Sequence, residues 1–144
     1  MIVDKDKAIQ AWAAQNPFMT DALLFDFLNE HQGSCAISPI PGDAVVKWYI
    51  DSSSRRRYTF ALQAMFAVSS ATDTVNTDNM LSLRRWQDWL EDQEFEKNYP
   101  DFGEKCSDYR IENTSNMPSM AMRYESGFAK YQFMAQITYT EVMK

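Results

Sequence analysis

His31 is the only histidine in the 144-residue chain. A histidine-based triad or a two-histidine metal site therefore cannot be built within one chain. The polar NEHQGS segment around it contains Gly33, which predicts an exposed loop. Cys35 and Cys106 are the only cysteines, far apart and in neither a CxxC nor an HExxH context, so no zinc site is expected. Two lone cysteines in a reducing compartment are expected as free, buried thiols. There is no phosphate-binding glycine loop, no GxGxxG and no GxSxG elbow. Asp88 with Asp92, and Glu91 with Glu94 and Glu96, line up on a helical pattern. No apolar neighbours in sequence would raise their pKa values, which predicts a solvated face rather than an acid–base pair. Arg55-Arg56-Arg57 is the one basic run. An isolated run of three in an acidic chain gives little reason to expect nucleic-acid binding. Solvation, or an ion pair to the acidic helix of a neighbouring copy, fits it better. No catalytic, cofactor-binding or metal-binding residue is predicted. The expected contact residues are Asp51, Arg55, Arg56 and Arg57 against Asp88, Glu91 and Asp92, paired head to tail in a ring.

The composition bounds the rest. A chain of this length holds one domain with a real core. The net charge of −6 disfavours wrapping of nucleic acid, which needs a basic face, but does not exclude a protein past which DNA slides without sticking. Four Trp, seven Tyr, nine Phe and nine Met are more ring and thioether than one core needs. Some are expected at contact surfaces, where such residues concentrate. No secretory leader is expected from MIVDKDKAI, and no run is long enough to cross a membrane.

The elements that would position these residues follow from periodicity. Residues 4–14 predict a helix, with Ile9, Trp12 and Ala13 inward, Ile2 or Val3 one turn earlier, and a stop at Asn16-Pro17. Phe18 to Leu28 fits a short helix or an irregular strand. Strands are predicted at 35–40 and 45–50, separated by a turn at Gly42-Asp43. Pro39 and Pro41 suggest an edge or strand-end position. Asp51 to Arg57 forms the expected tip. A long strand at 57–68 places Tyr58, Phe60, Leu62, Ala64 and Phe66 on one face. A polar connector ends in an N-cap at Asn76 or Thr77, and a helix at 78–97 turns Met80, Leu83, Trp86 or Gln87, Leu90 and Glu94-Phe95 inward, with Trp89 widening the stripe. Strands follow at 106–114, 118–125 and 128–141, the last two joined by a turn at Ser126-Gly127. The last carries the cleanest alternation, with Ala129, Tyr131, Phe133, Ala135, Ile137 and Tyr139 together. The expected fold is one α+β domain over residues 1–144, a mainly antiparallel sheet of five to six strands with two principal helices on one face.

Beyond these patterns, Pro39, Pro41, Val45, Val46, Lys47, Tyr49, Ile50, Asp51, Ser53, Arg56, Tyr58 and Phe60 form a run that resembles tail-terminator and minor-capsid (neck) proteins of long-tailed bacteriophages and prophages. Trp86, Trp89 and Gln93 match their second helix. Ala129, Tyr131, Gln132, Phe133, Gln136, Ile137 and Tyr139 match their C-terminal strand. The likeness covers about residues 34 to 142. Two positions depart from the pattern: Ser52 replaces a glycine and Ala44 a proline. The resemblance implies a structural, non-enzymatic subunit without cofactor, forming a homo-oligomeric, hexameric ring at the head–tail junction of the virion. Assembled in the host bacterial cytoplasm, the ring would cap the tail tube protein and meet the head-connector protein, with DNA passing through its channel. Tail-completion or head-closure proteins of the same particle share these features. A small ligand-binding domain or enzyme is the alternative from another class.

Overall fold

The computed structural model describes residues 4–16, 23–25, 34–40, 45–67, 73–115, 117–124 and 127–142, and of residues 23–25, 67, 73–80 and 123 the backbone alone. The expectations for Ile2, Val3, Pro17, His31, Pro41, the Gly42-Asp43 turn and Ser126 lie outside the described residues, as does the side chain of Met80.

Two helices and seven strands follow in the order α1 (Lys5–Ala13), β1 (Leu23–Phe25), β2 (Cys35–Pro39), β3 (Val45–Trp48), β4 (Ser54–Ala67), α2 (Asp73–Glu96), β5 (Cys106–Asn113), β6 (Ser119–Arg123) and β7 (Phe128–Glu141). β4 and β7, 14 residues each, pair antiparallel over their whole length, from Ser54 opposite Glu141 to Ala67 opposite Phe128. Four short strands flank this ribbon. β2 and β3 pair with the two halves of β4, and β5 and β6 with the two halves of β7.

The alternation in β4 and β7 explains the layering. Phe60, Leu62, Ala64 and Phe66 point to the same side as Ala129, Tyr131, Phe133, Ala135, Ile137 and Tyr139, and all are buried. Both helices cover that side. Ile9, Trp12 and Ala13 of α1 and Leu83, Trp86, Trp89 and Leu90 of α2 join the same core. Trp12 meets Trp89 with ring centroids 5.2 Å apart and Phe60 at 6.5 Å, while Trp86 stands edge-on to Phe133. The fold is therefore α+β, with a mainly antiparallel sheet and both helices on one face.

Several boundaries differ from the periodicity, each for a local reason. β1 is the strand beyond the predicted six; it pairs parallel to β2, Leu23 opposite Cys35 through Phe25 opposite Ile37. β2 is consequently not an edge strand over Cys35 to Ile37. Pro39 is tolerated because it ends the strand beyond the reach of β1. α2 starts at Asp73, so Asn76 and Thr77 lie inside it rather than capping it. Phe95 is 88% exposed. It follows the inward Leu90 and Gln93 at a spacing that carries it to the opposite side of the helix. On the second sheet face Ala61 and Met65 are also buried, so that face is not simply the solvated side.

The helix ends obey capping chemistry. The Asp4 carboxylate accepts the Lys7 N–H at 3.2 Å as the N-cap of α1. α2 ends in a Schellman motif: Lys97 N–H donates to the Glu94 carbonyl and Asn98 N–H to the Gln93 carbonyl. Lys97, at φ 57°, takes the left-handed conformation that glycine adopts without strain. Lys97→Gly is expected to raise the unfolding free energy by about 1 kcal/mol, read from the urea midpoint. A lower midpoint would show that the Lys97 side chain contributes more than its backbone strain costs.

Candidate functional site

Strand β4 begins at Ser54, so the three arginines lie within a strand and not in the expected tip. Alternation then sends them to opposite faces. Arg55 crosses the face away from the helices. Its guanidinium donates to the Asp108 carbonyl at 2.6 Å and to the Thr140 and Thr138 hydroxyls at 3.1 and 2.9 Å. Asp108, at φ 53°, sits where the β5–β7 register slips between Ser107 and Arg110, a bulge that turns its carbonyl outward. Arg56 points to the helix face and pairs with Glu141 at 3.0 Å. Arg57 is half-buried opposite Thr138. Arg55 and Arg56 are thus engaged within the chain, and reversing their charge acts on its stability.

Glu141 is the hub of a network that the sequence pattern does not reveal. It binds Lys5 of α1 at 3.0 Å as well as Arg56, and the Cys106 thiol lies 3.6 Å away. Burial pushes the Glu141 carboxyl up, but the hydrogen bond and charge of Lys5, with the charge of Arg56, hold it below its ordinary value. Burial works against the Lys5 ammonium, yet the Glu141 hydrogen bond keeps its pKa raised. Burial, followed by the Glu141 charge, pushes Cys106 up to about 11. That thiol is protonated at neutral pH and is no nucleophile. Cys35 and Cys106 are both buried, and neither forms a disulfide. Tyr58 donates to the Asp6 carboxylate, and burial together with that bond pushes its pKa up.

This network predicts a pH dependence. Folded Glu141 binds its proton less tightly than an unfolded glutamate, whose value is 4.5. Its stabilisation is complete above that value and is lost as pH falls through the lowered folded value. The Lys5 contribution, with a raised pKa, is lost only as pH climbs above 10.5. Glu141→Gln is expected to cost about 1.5–3 kcal/mol at pH 7, with the difference from wild type shrinking below pH 4.5. Urea unfolding across pH 3–8 reads both, and a constant difference over that range contradicts the assignment.

The remaining feature of the basic stretch is the β3–β4 hairpin itself. β3 lies against only the first residues of β4, through Val45–Arg56, Lys47–Arg55 and Trp48–Ser54 pairs with a bulge at Val46. The turn is rigidly closed. Tyr49 N–H donates to the Ser53 carbonyl at 2.9 Å and Ser52 N–H to the Tyr49 carbonyl at 3.1 Å. The Asp51 carboxylate accepts from the Ser53 N–H and hydroxyl. The Ser53 hydroxyl bond, with the backbone one, lowers the Asp51 pKa. Asp51 is thus a turn-former. Ser52 has φ 71°, which accounts physically for glycine at this position in the pattern that the stretch resembles.

On this fixed turn the apolar side chains face outward. Val46 is 50% exposed, Trp48 58%, Tyr49 40% and Ile50 fully exposed. Lys47 lies over the Tyr49 ring and Arg56 over the Trp48 ring. The expected strand at 45–50 has no buried face assigned to it, and β3 covers Val45–Trp48 of it. The signal for exposure is the break in polar–apolar alternation: Trp48, Tyr49 and Ile50 run together and cannot all face one core.

Across the sheet, α2 lies against β5. Glu94 accepts the Ile111 N–H at 3.1 Å and the Tyr99 hydroxyl, and the Asn113 amide donates to the Gln87 carbonyl. The helix thereby blocks part of the β5 edge. Between them run two adjoining hollows of about 350 and 460 Å³ that share Glu91 and Asn113. Leu90 and Ile111 lie on the apolar side of the first, and Asp88 lines the second. Asp88, Glu91 and Asp92 are all exposed on α2, as expected for its outer side, but Asp92 does not line the groove. Among the described residues, no group of three or more His, Cys, Asp or Glu side chains could hold a metal ion. No described helix is long and apolar enough to cross a membrane.

By fold the chain is an α+β domain, and the apolar hairpin around Trp48, Tyr49 and Ile50 is exposed on its surface. Compared with protein-family models and with curated proteins, the chain matches none.

Proposed function

We propose that this chain is a structural subunit of a long-tailed bacteriophage or prophage particle: a tail terminator that closes into a ring, caps the tail tube and joins it to the head connector. The observation that carries the reading is the rigid hairpin from Val45 to Ser53. It presents Trp48, Tyr49 and Ile50 to solvent, and it lies within the run of residues that resembles those proteins. Exposed aromatic and apolar side chains on a fixed turn suit a protein contact. The mechanism is mechanical. One ring face complements the last ring of the tube, and the other offers no surface for further growth. The net charge of −6 lets DNA pass without adhesion.

Light scattering and negative-stain imaging of the purified chain, alone and with tube protein, test this. A closed ring that binds tube ends and limits tube length is expected. A chain that stays monomeric at high concentration, with and without tube protein, contradicts it. A ring that binds only the head connector would instead mark a head-closure or tail-completion protein of the same particle.

A further inference from the structure

We propose that the ring contact is head to tail: the Trp48–Ile50 tip of one subunit seats in the groove between α2 and β5 of the next. This rests on the ring reading above and names the two surfaces that make the ring. The tip and the groove lie on opposite edges of the sheet, because β3 flanks β4 and β5 flanks β7. Three strand spacings put β3 and β5 about 14–15 Å apart, with the β4–β7 ribbon between them. A subunit therefore cannot fold its own tip into its own groove, and a second copy is the occupant that satisfies both. Two unlike surfaces on one chain generate a ring when the rotation closes.

The two surfaces are complementary. The tip brings exposed apolar side chains and one exposed cation, Lys47. The groove brings Leu90 and Ile111 beside Asp88 and Glu91, whose two negative charges outnumber the one of Arg84 in the second hollow. Of its other acids, Glu112 already pairs with Arg110 at 3.1 Å and Glu94 holds the Ile111 N–H. Asp88 and Glu91 are thus the carboxylates left to meet Lys47. Each hollow is of the size that receives a bulky apolar group, and an apolar anchor with a desolvated charge beside it is the usual make-up of a binding hot spot.

Charge exchange between copies tests the contact. Lys47→Glu alone, and Asp88→Lys with Glu91→Lys alone, are each expected to weaken association at least tenfold by light scattering. Mixing the two proteins is expected to restore the ring. In the mixture, each reversed tip finds a reversed groove and each native tip a native groove. All three positions are exposed, and circular dichroism with thermal melting verifies that every variant is folded. A wild-type ring that both variants form equally well overturns this docking and leaves the ring reading standing. Weakened variants whose mixture fails to reassemble also overturn it. A monomeric wild type removes both.

Discussion

Trp12→Ala will lower the unfolding free energy by about 3–5 kcal/mol, the range for removing a large aromatic from a core. Trp12 is 2% exposed and touches α2, β4 and the residue that closes α2. Its ring packs on Trp89 of α2 and edge-on to Phe60 of β4. Its indole N–H donates to the Asn98 carbonyl at 2.9 Å. Asn98 also closes the end of α2 by backbone, and its side-chain amide bonds Gln93 at 2.6 Å and Gln15 at 3.0 Å. Truncation therefore leaves a cavity under α1 and an unpaired carbonyl beside it. Domains of this size have about 5–15 kcal/mol in all, so α1 should undock well before the sheet unfolds. Trp12→Phe separates the two contributions: it keeps most of the ring contact, loses the hydrogen bond, and should cost about 1–3 kcal/mol. Urea unfolding gives both values, and hydrogen exchange at the Lys5–Ala13 amides reports the undocking. A loss below 1 kcal/mol for the alanine variant would mean that α1 is not held by this side chain.

In the proposed ring, combining Trp48→Ala with Ile50→Asp will cost the fold no more than about 1 kcal/mol while weakening assembly at least a hundredfold. Both side chains are more than half exposed, and substitutions at such positions move stability by about 0.5 kcal/mol or less. The Arg56 contact to the Trp48 ring, at 5.7 Å, contributes about 0.5–1 kcal/mol at an exposed site. Arg56 also keeps its Glu141 partner. Central aromatic anchors of interfaces, by contrast, cost 2 kcal/mol or more when truncated. A hundredfold loss of association corresponds to about 2.7 kcal/mol, and the introduced carboxylate would face Glu91 and Asp88. Sedimentation at several concentrations, beside a thermal melt, separates assembly from folding. Unchanged assembly would show that the tip is a passive surface; a large fall in melting temperature would show that it is part of the core.

Much of the fold was legible because two long strands each have one face buried over most of their length. In β7, residues 129 to 139 alternate with few exceptions, and the strand runs from Phe128 to Glu141 as the pattern predicts. The inner faces of β4 and α2 were readable for the same reason. β1 was one of two readings of Phe18 to Leu28, a short helix or an irregular strand, because three residues are too few for a period to decide between them. Its parallel pairing with β2 depends on a partner ten or more residues away. Phe95 was misplaced because apolar type was weighed above its angular position on the helix.

For the candidate site the division is sharper. Sequence by itself determined which residue types were on hand: one histidine, two distant cysteines, a run of three arginines and an excess of aromatic rings. Those types limit the catalytic sites one chain can build. Only the tertiary structure decided where the charges go. Once β4 starts at Ser54, the pleat splits the arginine run, Arg55 reaching the β5 bulge and Arg56 reaching Glu141, 85 residues on. Those partners are distant in sequence and close only because β4 and β7 pair end to end. The same pairing leaves the short β3 hairpin beyond the reach of either helix, so Trp48, Tyr49 and Ile50 remain at the surface although their composition belongs in a core.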